Sequence, residues 1–320
     1  MTTIGKDINK AKWLLEKGEL VGIPTETVYG LAGNALNAEA VSKIFETKNR
    51  PSFDPLIVHT GSIEQISEYT TAMPSELEAL AKAFWPGPLT LLLPKKNIVP
   101  DLVTSGLDQV AVRVPSHPLT RELLLSLDFP LAAPSANPFG YISPTCASHV
   151  VDQLDGKIDY VLDGGNCQIG LESTIVGVEE GQITIYRLGG VEVSDIKKVV
   201  GNVLILPQSS SNPKSPGMLK SHYAPRIPFV VGDLEQLVPH YLEKGEKFGV
   251  LSFSKAFDGV PADYQRTLSA SGDYKEAAQN LFAAMRYLDK QDVSVILSGE
   301  MPEKGLGKAV NDRLRRAAAR

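Results

Sequence analysis

Short apolar segments alternate with amphipathic segments along this chain, and that alternation is typical of α/β proteins. Residues 20–23 and 55–59 have the apolar character of buried strands, and the helix predicted between them has one apolar face. Asn37 is positioned to cap the start of this helix, because its side chain can accept hydrogen bonds from the first free N–H groups. The helix has to end before Pro51, because the residue that precedes a proline leaves the helical region. The opening part of the chain is therefore predicted to fold as strand, polar turn, helix and strand.

The same pattern continues along the chain and divides it into two domains joined by a linker. Further strands are predicted in the first domain at residues 89–93, 110–114, 131–133, 174–178 and 183–188. In the second domain, strands at 227–231, 248–253 and 293–297 alternate with helices, the clearest at 274–288, which indicates a small parallel α/β sheet. Residues 207–228 between them are rich in Ser, Pro and Gly, as linkers are. We predict a first domain at residues 1–206, a linker at 207–226 and a smaller domain at 227–320.

Composition narrows the class of protein. The 320 residues carry a formal net charge of -5, which argues against a protein that coats nucleic acid non-specifically and leaves room for a local basic site. The two cysteines, Cys146 and Cys167, are too far apart for a CxxC redox or zinc motif, and buried apolar thiols are the default. The sequence has neither a signal-peptide core nor a run of about 18 apolar residues. We expect no membrane segment and a cytoplasmic location.

Polar side chains gather around the first two predicted strands. Residues 25–27, Thr-Glu-Thr, come directly after the first strand, where α/β sheets commonly hold their ligands. Lys48 and Arg50 lie at the end of the helix, where cations also neutralise the helix dipole. Their surroundings favour a binding site over that simpler explanation. The loop is bounded by prolines, the threonines lie before it and His59 lies after it. These groups suit an anion held beside a small polar molecule.

Later in the chain, polar residues again interrupt or follow predicted strands. Arg113 lies inside a strand, where either a structural ion pair or a bidentate contact to a substrate carboxylate would satisfy it. Ser135 and Asn137 form a polar turn past another strand, and such turns are common by themselves. Ser143 precedes a proline and a helix, and would offer a hydroxyl and a helix N-terminus to a phosphate. The glycines of residues 163–176 have the spacing of a phosphate loop, but the lysine that such a loop needs is missing.

Several segments carry a resemblance to a known family. The runs PTETVYGL and KNRPSFDPLIVH resemble the threonylcarbamoyl-AMP synthase family of YrdC-like proteins, and SPGM followed by HYAP matches its long, two-domain members. The resemblance implies a YrdC-like twisted mixed sheet with flanking helices, plus a smaller C-terminal parallel α/β (Rossmann-like) domain. It also implies that the linker folds over the active site, the alternative being a passive tether. Two residues depart from the family pattern: Leu188, where proline is frequent, and Asp54, where asparagine is frequent. The carboxylate of Asp54 either sits on a metal or faces away from it.

The resemblance implies a role for each residue of the site. Lys48 and Arg50 would be catalytic, neutralising charge on the phosphates of ATP. L-threonine would be held by Thr27, His59, Arg113, Ala133 and Ser173. The nucleotide would be held by Lys48, Arg50, Asp54, Ser135, Asn137, Ser143, Arg187 and Tyr223. Alanine in place of Lys48 or Arg50 is expected to abolish the reaction and to leave the fold intact, because both are predicted on a surface loop.

The reaction that the family carries out fits this set of groups. Threonine and bicarbonate (or carbon dioxide) form an N-carboxy-threonine, whose carboxylate attacks the α-phosphate of ATP to give threonylcarbamoyl-AMP and pyrophosphate. A Mg²⁺ ion that bridges the phosphates is expected, without a dedicated protein cage. The product would pass to a separate transferase that modifies a tRNA adenosine. Direct contact with tRNA has only the basic C-terminal segment in its favour, and a solvated helix face explains that segment as well.

Two other functions stay open at this point. One is a carbamoyltransferase that uses carbamoyl phosphate, because hydrogenase-maturation proteins carry a similar domain. Their zinc-finger-like cysteines and acylphosphatase segment are missing from this sequence. The other is a non-enzymatic RNA-binding module, against which the net negative charge argues.

Overall fold

The computed structural model of the chain describes residues 1–206, 215 and 218–319. The chain divides into two compact units. The first comprises Met1–Phe139, Pro144–Gln168 and Glu172–Leu219, and the second Gly140–Ser143, Ile169–Leu171 and Lys220–Arg320. Half of the predicted linker, residues 207–214, 216 and 217, lies outside the described residues. The longest segment of the second unit begins at Lys220, and the unit also takes in two short segments of the predicted first domain.

The first unit is a mixed sheet with helices on both faces. Its strands are β1 (Thr3–Gly5), β2 (Val21–Ile23), β3 (Gly30–Asn34), β4 (Ile57–His59), β5 (Leu89–Pro94), β6 (Gln109–Arg113), β7 (Leu131–Ala132), β8 (Tyr160–Leu162), β9 (Thr174–Glu179), β10 (Gln182–Arg187) and β11 (Leu204–Ile205). Its helices are α1 (Ile8–Glu16), α2 (Ala38–Lys48), α3 (Ile66–Tyr69), α4 (Ser75–Phe84), α5 (Asp101–Thr104), α6 (Pro118–Leu125), α7 (Ala147–Leu154) and α8 (Val193–Val200). The described strands lie in the order β1-β8-β2-β3-β7-β4-β6-β5-β9-β10-β11, with parallel and antiparallel neighbours. This confirms the predicted mixed sheet.

Apolar side chains on opposite faces of the sheet hold the helices of the first unit. On one face, Leu14 and Leu15 of α1 and Leu123 and Leu124 of α6 pack against β2, β7 and β8. On the other face, α2, α4 and α7 pack against alternate residues of the same sheet. The Asn37 side chain accepts hydrogen bonds from the backbone N–H groups of Glu39 and Ala40, so the predicted cap of α2 is confirmed.

The second unit is a small, all-parallel sheet. It contains β12 (Phe229–Val231), α9 (Leu234–Glu243), β13 (Phe248–Ser252), the 3₁₀ helix η1 (Ala262–Tyr264), β14 (Gln265–Thr267), α10 (Tyr274–Leu288), β15 (Val295–Ser298) and α11 (Gly307–Ala318). The strand order is β12-β15-β13-β14, and each described pair is parallel. The alternation of strands and helices in the sequence had predicted this parallel α/β arrangement. Within the described ranges, no helix is both long and apolar enough to cross a membrane.

Candidate active site

The candidate site lies on one face of the first-unit sheet, and strand periodicity determines which residues reach it. Ile57, Leu92 and Ala111 pack there in an apolar cluster that also includes Met218 from the described end of the linker. Side chains alternate between the two faces of a strand, so residues two positions from these share their face. Those residues are His59 on β4, Thr90 on β5 and Arg113 on β6.

The guanidinium of Arg113 is held by two partners inside the unit. Its Nη2 donates to Oε1 of Glu26 at 2.6 Å, and both side chains are 4% exposed. Its Nε donates to the carbonyl of Gly87 at 3.2 Å. The second carboxylate oxygen of Glu26 accepts from the backbone N–H of Ser116 at 3.1 Å. The structural ion pair is therefore present, and the contact of Arg113 to a substrate carboxylate stays a prediction.

His59 lies directly across from Arg113, because β4 and β6 are parallel and these two residues are in register. Burial, and then the nearby positive charge of Arg113, lower the pKa of the His59 imidazole to about 3. Its Nδ1 lies 3.2 Å from the carbonyl oxygen of Ile57. His59 is therefore neutral at physiological pH and adds no second positive charge beside Arg113.

The turn after β2 places Thr27 in a network of hydroxyl groups. Thr25 Oγ1 accepts from the backbone N–H groups of Thr27 and Val28, and donates its hydrogen to the carbonyl of Val28 at 2.6 Å. The two hydroxyl oxygens lie 2.7 Å apart. Either hydroxyl can be the donor of this pair, and in both cases the oxygen of Thr27 keeps an acceptor position.

Lys48 connects α2 to the turn that contains Ser135 and Asn137. Its Nζ donates to the carbonyl oxygens of both residues at 2.5 Å. Burial, and then the charge of Arg50, lower the pKa of the Lys48 ammonium well below its usual range. Lys48 is 1% exposed and is the last residue of the helix, so the prediction that it lies on a surface loop was wrong. Its burial depends on a turn that is remote in the sequence.

Arg50 closes the loop that follows α2. Asn49 adopts a left-handed conformation with φ 51°, which turns the chain back at the helix end. Arg50 Nη2 lies 2.9 Å from Oδ2 of Asp54, and the two side chains are 6% and 1% exposed. Arg50 also donates to the carbonyls of Asp54 and Pro55. The predicted surface position of Arg50 was therefore also wrong, and Asp54 is the buried partner of Arg50 within this loop.

Ser173 and Arg187 form a third polar cluster, together with Thr90. Arg187 donates from Nη2 to Ser173 Oγ at 3.0 Å and from Nε to the Ser173 carbonyl at 3.1 Å. The hydroxyl oxygens of Thr90 and Ser173 lie 2.7 Å apart. Two residues that had been predicted to hold different substrates are therefore in direct contact.

The remaining predicted residues lie in different places. Ala133 is buried in the first unit, and its N–H donates to the carbonyl of Ile57 at 3.0 Å. Ser143 belongs to the second unit, where its carbonyl accepts from Nε of Arg286 at 3.2 Å. Tyr223 also belongs to the second unit and is 1% exposed, with its ring stacked on Phe282 at 5.4 Å between centroids.

The described residues bear on metal binding and on covalent catalysis. In the part of the chain that the structure describes, no group of three or more His, Cys, Asp or Glu side chains could hold a metal ion. Burial raises the pKa of the Cys167 thiol far above its usual range, so this side chain stays protonated and is a poor nucleophile. The described groups thus suit binding and charge stabilisation better than attack by a cysteine.

Two residues of these clusters were missed as site residues in the sequence. Glu26 is polar and directly follows β2, but nothing local shows that its partner is Arg113. Thr90 is a polar residue in a strand that is otherwise formed by leucine and a terminal proline, and that interruption was the available signal.

Comparison with known proteins connects this geometry to a family. Residues 13–189 match the Sua5/YciO/YrdC family, described as "Telomere recombination", and residues 191–319 match the family described as "Threonylcarbamoyl-AMP synthase, C-terminal domain". Threonylcarbamoyl-AMP synthase from Pyrococcus abyssi is 43% identical over 97% of this chain and 94% of its own length. The Bacillus subtilis enzyme of the same name is 39% identical over 99% of this chain and 94% of its own length.

A solved structure agrees with these matches. The crystal structure of Sua5 from P. abyssi in complex with L-threonine superposes with a TM-score of 0.93 at 42% identity, covering 99% of this chain and 97% of that one. The fold, both family segments and the two named relatives therefore agree over nearly the whole sequence. The chain belongs to the threonylcarbamoyl-AMP synthase family, whose members are ATP-using enzymes.

Proposed function

We propose that the site in the first unit condenses L-threonine, bicarbonate and ATP into threonylcarbamoyl-AMP, with release of pyrophosphate and water. The observation that carries this proposal is the buried guanidinium of Arg113 beside the neutral imidazole of His59, on the same face as Thr90. A fixed cation next to neutral polar groups suits an amino acid carboxylate. The relative from P. abyssi with the same fold has been crystallised with L-threonine.

In the threonine pocket, each side chain has a separate task. Arg113 and the hydroxyl of Ser173 hold the carboxylate of the amino acid. The oxygen of Thr27, which has an acceptor position to spare, holds one of its polar groups. His59 and Ala133 shape the pocket, and the imidazole does this without adding charge. Threonine is selected because its hydroxyl pairs with groups that valine would leave without a partner.

At the nucleotide, cations neutralise the charge that develops during transfer. The amine of Lys48 donates to the carbonyls of Ser135 and Asn137, and the negative charge of bound phosphates favours its protonated form, whose third hydrogen is left for a phosphate oxygen. Arg50 presents its guanidinium from a loop that Asp54 holds in place. Ser135, Asn137 and Arg187, all in the first unit, bind the nucleotide. Preset charges of this kind lower the barrier by several kcal/mol in other phosphoryl-transfer sites.

The remaining participants come from outside the chain. Mg²⁺ would arrive with ATP and would neutralise phosphate charge, and it would need little from the protein because that ion usually keeps several waters and takes one or two protein ligands. The N-carboxylated threonine, not a side chain of the enzyme, attacks the α-phosphate. The product passes to a separate transferase that acts on tRNA, and the cytoplasm is the compartment that we expect for both proteins.

The decisive experiment measures pyrophosphate release from ATP in the presence of bicarbonate and Mg²⁺. Threonine is compared with serine, with valine and with no amino acid. We expect release that requires threonine and stops when Arg113 is replaced by methionine. Equal release with every amino acid would refute the assignment. Turnover of carbamoyl phosphate in place of threonine would favour a carbamoyltransferase, and tight, salt-sensitive tRNA binding without turnover would favour an RNA-binding module.

A further inference from the structure

Thr90 is buried in the middle of the sheet and has a single side-chain partner. Its hydroxyl lies 2.7 Å from that of Ser173, and Thr90 and Ser173 are 0% and 1% exposed. Ser173 also accepts a hydrogen bond from Nη2 of Arg187. Within the described residues, neither hydroxyl makes another hydrogen bond. The three side chains therefore form a short chain of polar contacts.

The hydrogen bonds among these three side chains leave one hydroxyl hydrogen without an acceptor. Arg187 can only donate, and each hydroxyl has one hydrogen and two lone pairs. One hydroxyl hydrogen is used between Thr90 and Ser173, whichever of them donates. The other hydroxyl hydrogen has no acceptor among the described residues. A buried donor that lacks an acceptor is unfavourable, so a ligand oxygen that accepts this hydrogen is favoured.

The position of Thr90 determines which hydrogen is left over. Thr90 lies within β5, in register with Ile175 of the parallel strand β9, and Ser173 immediately precedes β9. If Ser173 donated to Thr90, the unused hydrogen would be inside a strand, next to the backbone pairing. If Thr90 donates, both lone pairs of Ser173 are filled, by Thr90 and by Arg187, and the Ser173 hydrogen is left to donate. Ser173 precedes its strand, at the place where a ligand can approach.

We propose that Thr90 is a positioning residue, which fixes the hydroxyl of Ser173 so that its hydrogen points at the carboxylate of the amino acid substrate. The inference rests on the proposed function, because it takes the ligand of Ser173 to be that carboxylate. Thr90 itself does not touch the substrate. By donating to one lone pair of Ser173, Thr90 restricts the rotation of the Ser173 hydroxyl about its Cβ–Oγ bond.

The test replaces Thr90 by valine, which has the same shape and lacks the hydroxyl. We expect Thr90→Val to raise the KM and the Kd for threonine about tenfold, the range of a hydrogen bond to a charged group, with kcat nearly unchanged. Thr90→Ser restores the hydroxyl and should return both constants to within about twofold of the wild type. Thr184→Val is the matched control, because Thr184 is also buried in this sheet and, among the described residues, its hydroxyl bonds only to the carbonyl of Gln182.

Two further measurements separate positioning from a purely structural effect. With L-threoninamide, which has no carboxylate, the Kd should be the same for the wild type and Thr90→Val. In a double-mutant cycle, Thr90→Val should add no further loss in the Ser173→Ala background, because its effect passes through Ser173. A threonine Kd for Thr90→Val that equals the wild-type value in a folded protein overturns the inference, and so does full additivity with Ser173→Ala.

The Kd for threonine is measured by calorimetry, independently of turnover. A failure of this inference can therefore be distinguished from a failure of the proposed function. A wild type that binds threonine and releases no pyrophosphate would refute the function, while the Kd of Thr90→Val would still decide the inference. A wild type that does not bind threonine would refute both. Normal turnover in the wild type with unchanged binding in Thr90→Val would refute the inference alone.

Discussion

Removing the carboxylate of Glu26 tests how the buried charge of Arg113 is held. In Glu26→Ala, the guanidinium keeps the carbonyl of Gly87 and loses its only anionic partner among the described residues. The backbone N–H of Ser116 loses its acceptor as well. Breaking a buried ion pair by removing one partner destabilises proteins by about 3–5 kcal/mol, because the remaining charge stays buried. We expect a loss of stability in that range.

An exposed pair on α4 provides the control. Glu78 and Lys82 lie 2.5 Å apart, as close as the buried pair, but their side chains are 51% and 70% exposed. Pairs of this kind contribute about 0–1 kcal/mol. Urea unfolding of Glu26→Ala and Glu78→Ala, followed by circular dichroism, should therefore give a large and a small loss of stability. Two losses of similar size would refute the view that burial of the charge decides the result.

A double variant separates stability from substrate binding. Glu26→Met combined with Arg113→Met removes both charges and fills their space with apolar groups, an exchange that is often neutral or stabilising. We expect it to recover most of the stability lost in Glu26→Ala. It should still fail to bind threonine, since the guanidinium is gone. Recovery of threonine binding along with stability would show that Arg113 serves only the fold.

Three more predictions follow from single contacts. Lys48→Ala should abolish pyrophosphate release and also lower stability in urea by about 2 kcal/mol or more, because two buried carbonyls lose their shared donor. An unchanged unfolding midpoint would contradict this. The pKa of His59 is about 3 in the folded protein and about 6.5 in the unfolded chain. As the pH drops below about 6.5, the unfolded chain binds the proton first, so the stability of the folded protein falls. Between pH 7.5 and 5.5 the wild type should lose about 1.4 kcal/mol more than His59→Gln in urea titrations at both pH values, and equal losses would argue against a neutral imidazole. Asn37→Ala should cost about 1 kcal/mol by the same assay, because α2 loses its cap, and no loss would mean that water replaces it.

Local features of the fold could be predicted because local chemistry decides them. The start of α2 depends on Asn37 and its end on the residues before Pro51, and both signals lie within the segment itself. Strand periodicity placed His59 and Arg113 in the sheet. The insertion of β8 between β1 and β2 could not be predicted, because it depends on pairing between residues that are remote in the sequence.

For the candidate site, the sequence indicated residue types but not their contacts. Lys48 and Arg50 were expected at the surface because both follow or end a helix near prolines, yet their burial depends on carbonyls and a carboxylate around them. For Arg113, the sequence left an ion pair and a substrate contact as alternatives. Its partner Glu26 lies on a different turn, which only the fold brings near. Residue types can be recognised locally, whereas burial and partners depend on the whole sheet.

The strand order of the first unit has a consequence for how the protein is made. Thr3 of β1 and Val21 of β2 are each paired with Tyr160 of β8. At a synthesis rate of roughly 5–20 residues per second, both early strands wait on the order of ten seconds for their shared partner. During that time their edges are unpaired and prone to associate with other chains, so a nascent-chain chaperone is expected to bind there. A chain whose translation stops before Arg187 keeps the pairing of β5 with β9 but lacks the guanidinium of the third polar cluster, and it should have no partial activity.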